Sequence, residues 1–162
     1  MVTPRASTLI LALAGLSLAG CDPDAAVFVD ASIPNASIEV QQSSLSTAVA
    51  GTFVVQLHLG PRAAEASEVG LGQFSITDAT GGQTLVPVLG FTASPPFPVT
   101  VDVDSTVDVI ATLSPDDNVV EAGALDALCA PAGVVVVGAL DEELSGGTID
   151  VASETVTPSG CP

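Results

Sequence analysis

The chain has 162 residues, 48% of them hydrophobic, and a formal net charge of −17, with 19 Asp and Glu set against two cations, Arg5 and Arg62. So acidic a surface excludes nucleic acid, whose phosphates are neutralised by Lys and Arg, and it repels anionic headgroups as well. The apolar content excludes a disordered tail, since a core can be buried, and the absence of Trp and Tyr removes the aromatic faces on which sugar rings are held.

Residues 1–5 carry one positive side chain, Arg5, and residues 8–18 (TLILALAGLSL) form an apolar run that gives way to Asp22-Pro23-Asp24. A membrane-spanning helix needs about 20 apolar residues, so this shorter run has the anatomy of a secretory signal. The tetrapeptide Leu18-Ala19-Gly20-Cys21 closely resembles the lipobox of bacterial lipoproteins. That resemblance implies that residues 1–20 are removed and that Cys21, the new N-terminus, is acylated on its sulfur and its amine. Such a protein is anchored to the lipid membrane of the cell envelope, on the outer membrane or cell surface, facing the periplasm or the exterior. One acyl chain binds a bilayer only marginally, whereas two or more hold durably.

Residues 21–35 (CDPDAAVFVDASIPN), rich in acid, proline and small residues, read as a lipidated tether, which leaves 36–162 as one domain. Residues 37–41 (SIEVQ) alternate in the period-2 pattern of a half-buried strand. Residues 52–59 (TFVVQLHL) place Phe53, Val55, Leu57 and Leu59 on one face and Val54, Gln56 and His58 on the other, and Gly60-Pro61 ends that strand. Residues 71–78 and 83–89 flank Ala79-Thr80-Gly81-Gly82 as a hairpin, with Pro87 marking an edge. Residues 99–113 keep one apolar register and read as two strands joined near Asp104-Ser105. Asn118 with Glu121 three residues later has the form of a capping box, so a short helix is expected through Val120, Ala124 and Leu128, ended by Pro131. Residues 133–140 (GVVVVGAL) predict a central strand, Ser145-Gly146-Gly147 a turn, and residues 148–157 the last strand.

Seven to eight short strands with turn signals every 8 to 12 residues predict an all-β, antiparallel sandwich, with one short helix before the penultimate strand. The layout resembles the immunoglobulin-like domains of bacterial envelope lipoproteins, though the immunoglobulin tryptophan has no counterpart here. Counting outwards from Ser145-Gly146, Cys129 and Cys161 arrive opposite each other at the open end of the last hairpin. An exported compartment favours their oxidation to a structural disulfide. The redox spacing C-x-x-C and the further ligands of a metal site are both missing.

His58 is the only histidine and falls on the polar face of its strand; a small secreted hydrolase would have to use it, yet no G-x-S-x-G elbow accompanies it. Acids gather at three turns: Asp102, Asp104 and Asp108; Asp116, Asp117 and Asn118; Asp141, Glu142 and Glu143. Calcium takes six to eight oxygens from such loops, and alternation would set Asp102 and Asp104 on one strand face. If any set binds calcium, it is Asp102, Asp104 and Asp108. Val54, two of Val134 to Val137, and Leu85 or Val86 cannot all point inward, and could form a docking face. The leading expectation is a non-enzymatic, lipid-anchored envelope module that engages an envelope or extracellular protein. A calcium-dependent adhesion module and the His58 hydrolase are the alternatives.

Overall fold

Alternation of apolar and polar residues along most of the chain can bury its apolar face only by pairing two sheets. The computed structural model describes residues 26–162 apart from Leu45, Gly81 and Ala122, and has that arrangement. The first sheet has the strand order β1 (Val29–Gln42), β2 (Thr47–Leu59), β7 (Ser105–Leu113), β5 (Phe91–Ser94), with the two-residue β8 (Val119–Val120) also paired to β2. The second has the order β10 (Gly147–Ala152), β9 (Val134–Glu142), β3 (Ser67–Asp78), β4 (Thr84–Val86), with β6 (Val99–Val101) also paired to β3. All these ladders are antiparallel. The result is an all-β open sandwich of ten strands among the described residues.

Inward residues of both sheets meet in one core, including Val49, Leu57, Leu59, Val69, Ile76, Val101, Val136 and Leu140. At its centre Phe53 of β2, Phe74 of β3 and Phe91 of β5 stack on one another with ring centroids 5.2–5.6 Å apart, joining the sheets. Phe74 lies opposite Gly138 in the β3–β9 ladder. A methyl group at Gly138 would fall 2.3 Å from the Phe74 ring, so a side chain there is excluded by packing.

Three expectations about the elements need correction. The stretch assigned to the tether contains the start of β1, because Val29 and Ile33 are buried inward positions of a V-D-A-S-I alternation. Pro34, which lacks a donor for the ladder, is accommodated at a register shift between Ser32 and Asn35. The helix expected from Asn118 is reduced to one turn, α1 (Leu125–Leu128), while residues 115–117 form a 3-10 turn and Val119–Val120 a strand. Residues 83–89 form only the three-residue β4, in which Leu85 and Val86 are both buried. Val54, Val135 and Val137 do lie half-buried on the outer faces.

The chain after β10 decides how the sandwich closes. Val134 and Val156 exchange backbone hydrogen bonds of 2.8 Å on sheet two. Three residues later, Ser159 accepts from Val40 at 2.8 Å and donates to Ile38 at 3.0 Å, so the tail runs parallel to β1 of sheet one. Cys161 then bridges Cys129, the residue following α1, with a Cα–Cα distance of 5.7 Å. The disulfide expected from the hairpin geometry is present.

Candidate functional site

The sandwich has two ends. Val29 pairs with Leu59, Leu59 with Ser105, Ser67 with Val101 and Glu142 with Gly147, so these residues share one end with the 102–104 turn and the β9–β10 hairpin. The β1–β2 hairpin, the 3-10 turn and the disulfide occupy the other. Cys21 lies outside the described residues.

The three aspartates chosen for calcium are not brought together. Asp102 and Asp104 lie in the turn between β6 and β7, and Asp104 has φ of 59°, left-handed backbone that breaks the alternation expected to align them. Asp108 sits on the outer face of β7 and accepts a 2.9 Å hydrogen bond from Gln56 Nε2. Among the described residues no three His, Cys, Asp or Glu side chains gather so as to hold a metal ion.

His58 is half-buried rather than solvated. Its Nδ1 lies 3.0 Å from the Thr106 hydroxyl, while Nε2 is shut off from solvent and has no hydrogen-bond partner among the described residues. A general base must reach the proton it removes, and the open face of this sheet is not presented with that nitrogen.

Two polar residues grouped with the acid clusters turn out to be internal. Asn118 is 1% exposed. Its Oδ1 accepts from the Gly90 N–H at 2.9 Å, and its Nδ2 donates to the carbonyls of Gly90 and Ser114, both at 2.7 Å. Its own carbonyl accepts from Val49 at 2.9 Å, so one side chain fastens the turn before β5 to the turn after β7. The capping-box pattern pointed to a helix, but a buried partner on a distant turn claimed the amide instead.

Glu142 is 2% exposed, and alternation along β9 from Val134 through Val136 and Leu140 is what carries it inward. Its carboxylate accepts from the Ser67 hydroxyl, from Leu144 N–H at 3.1 Å and from Ser145 N–H at 2.7 Å. Burial by itself would raise its pKa; the hydrogen bonds from Ser145, Ser67 and Leu144 outweigh that and hold it below its ordinary value. The group is thus a charged latch for the β9–β10 turn, with its lone pairs spent on protein donors.

Two of the hollows in the surface border one another's residues. One, of about 510 Å³, lies where β5 faces β3 and is walled by Leu71, Phe91, Ala93, Phe97 and Pro98. The other, of about 380 Å³, lies on the outer face of sheet two among Glu68, Asp141, Glu143 and Thr148. Gly70 borders both. Sequence reasoning missed this place; the signals that could have found it are the Gly70-Leu71-Gly72 triplet and the Pro95-Pro96-Phe97-Pro98 run, since glycine and proline interrupt strand patterns. Comparison with family models, with curated proteins and with solved structures finds no match for this chain.

Proposed function

We propose that this chain is a lipid-anchored cell-envelope protein whose sandwich is an immunoglobulin-like interaction module and performs no catalysis of its own. The observation that carries the reading is Leu18-Ala19-Gly20-Cys21 at the end of an apolar run, followed so soon by folded chain. Eight Cα-to-Cα steps separate Cys21 from Val29, the first residue of β1, and they reach no more than about 28 Å when fully extended. Acylation of Cys21 therefore turns the Val29 end of the sandwich toward the bilayer and keeps its other end, with the disulfide, facing away. The Cys129–Cys161 bridge is in keeping with an oxidising compartment.

Strand order supports the immunoglobulin-like assignment. With the short β4, β6 and β8 set aside and the rest lettered along the chain, sheet one runs A-B-E-D and sheet two runs G-F-C, with β4 added at its edge. The departures are the missing tryptophan and a bridge that joins the segment before F to the segment after G, rather than B to F.

The test is the intact mass of the chain recovered from the membrane fraction of a bacterial host that expresses it with its leader, measured with and without reductant. A species that begins at Cys21, carries acyl mass and gains two hydrogens on reduction is the expected result. An unacylated chain released to the medium would overturn the anchor.

A further inference from the structure

The sandwich is closed along one long side and open along the other. On the closed side the C-terminal tail lies against β1, with bridges at Ile33–Ser153 and Glu39–Ser159. On the open side β5 is the last strand of its sheet, so one edge of its backbone faces no strand among the described residues. On the same side β3 is paired with β6 at residues 67–69 and with β4 at Ile76 and Thr77; between them residues 70–73 have no ladder partner on that side among the described residues, although Gly70 and Leu71 pair with β9 on the other. The apolar hollow lies between these two unpaired stretches. Leu71 at its wall is 45% exposed, although its place in the ladder, opposite the fully buried Leu140, is an inward one.

Gly70, which carries no side chain, lines both the acidic hollow and the apolar one. Neither hollow is lined by Lys, Arg or His. Its carboxylates are not gathered closely enough with one another to hold a metal ion, so they suit several separate cations on one flexible partner better than a single ion. Glu142 beneath them is tied to Ser67 and Ser145, which fixes the floor.

We propose that this open edge takes an extended protein segment in which apolar side chains alternate with Lys or Arg. Free backbone on an edge strand is a template for strand addition, with alternate side chains of the added segment pointing one way. Lying beside residues 70–72 of β3 in sheet two, the segment turns one set of side chains inward to the hollow of Leu71, Phe91 and Phe97 and the other to the outer face of that sheet, where Glu68, Asp141 and Glu143 stand across Gly70. Charge selects the occupant: a second copy of this chain, also at −17, would bring acid to acid, whereas a basic segment is attracted. The assignment rests on the reading of this chain as an interaction module, and not on its acylation.

The experiment titrates the full ¹⁵N-labelled chain, held in phosphatidylcholine nanodiscs if acylated and in buffer if not, with the peptide Ac-KVKFKVK-NH2. Two controls, Ac-KGKGKGK-NH2 and Ac-EVEFEVE-NH2, separate charge from apolar content, and empty nanodiscs serve as the blank. The expected result is binding about tenfold or more tighter than either control, with amide shifts concentrated at Gly70, Leu71, Thr92 and Ala93. Leu71→Asp, at an exposed position, and Gly70→Val should each weaken it by about tenfold without lowering Tm. A Cβ at Gly70 meets Asp141 Cβ at 3.6 Å and the Asp141 carbonyl oxygen at 3.7 Å, both ordinary van der Waals contacts, so a side chain can start there without a clash. Equal binding of the KG control, insensitivity to both substitutions, shifts located elsewhere, or no binding at about 1 mM peptide would each overturn the proposal. So would a concentration-dependent dimer that perturbs the same amides without peptide, which would give the edge to a second copy. Because acylation is read separately by mass, a failure here leaves the anchor standing, and a failure of the anchor leaves this titration intact.

Discussion

Replacing Asn118 tests whether one buried amide holds the far end of the sandwich together. Asn118→Ala removes three side-chain hydrogen bonds, one accepted from Gly90 and two donated to Gly90 and Ser114. Each such bond contributes roughly 0.5–1.5 kcal/mol, and a stranded buried partner costs more. Gly90 and Ser114 are only half-buried, so water recovers part of that loss. The expected destabilisation is about 2–4 kcal/mol, which is a fall in Tm of roughly 6–16 °C for a domain of this size. Asn118→Asp is the sharper perturbation. It keeps an acceptor for the Gly90 N–H but turns a carboxylate oxygen toward two carbonyls, so at neutral pH it should be at least as damaging as alanine. Acidification gives that oxygen a proton to donate, and the gap between the aspartate variant and the parent should then narrow. Urea unfolding followed by far-ultraviolet circular dichroism at pH 7 and near pH 4 reads both effects. A loss under about 1 kcal/mol for alanine, or an aspartate variant as stable as the parent at pH 7, would refute the clamp.

Reduction of Cys129–Cys161, or replacement of both by serine, should cost about 3–4 kcal/mol for a separation of 32 residues. Hydrogen exchange should show Val40 and Ser159 losing protection first, because the tail is then held to β1 chiefly by backbone bonds; unchanged protection would contradict this. Glu142 has a pKa held below its ordinary value in the folded chain, so it stabilises the fold above the unfolded glutamate pKa and loses that contribution as pH falls through the folded one. Glu142→Gln places an N–H against the Ser145 N–H and should cost about 1–3 kcal/mol at pH 7. Its deficit against the parent should shrink below about pH 4, and a pH-independent deficit would show that the charge plays no part. Gly138→Ala drives a methyl group to 2.3 Å from the Phe74 ring and should cost about 1–3 kcal/mol. Combined with Phe74→Leu it should cost less than the two changes summed, and strict additivity in that cycle would mean the ring is not what the methyl meets.

Much of the fold is legible because strand alternation is a local property. Residues 52–59, 71–78 and 134–140 each declare an inward face within a few residues, and each forms the expected strand. The disulfide was legible in part for a related reason, since the hairpin register extends as far as Val134 and Val156; Cys129 and Cys161 lie beyond both strands and meet through α1 and the tail that crosses to β1. Even Glu142 could have been read from the same alternation, had it not been grouped with its acidic neighbours. The readings that failed are those in which one local pattern had two outcomes. A capping box and a buried clamp both use an Asn before an apolar run, and Asp102 and Asp104 align on a face only while the backbone stays extended.

By itself the sequence determined an acidic all-β sandwich, its central strands, its cysteine pair and the motif from which a membrane anchor is proposed, because those follow from period, spacing and charge. Only the tertiary structure decided that β1 begins at Val29, that Asn118 and Glu142 are interior, that the tail crosses from one sheet to the other, and that the β5 side stays open. The physical reason is that each of these depends on a partner far away in the chain. Ser159 beside Val40, Gly90 beside Asn118 and Ser67 beside Glu142 are met only when the sheets pack, and nothing in the residues nearby specifies the meeting.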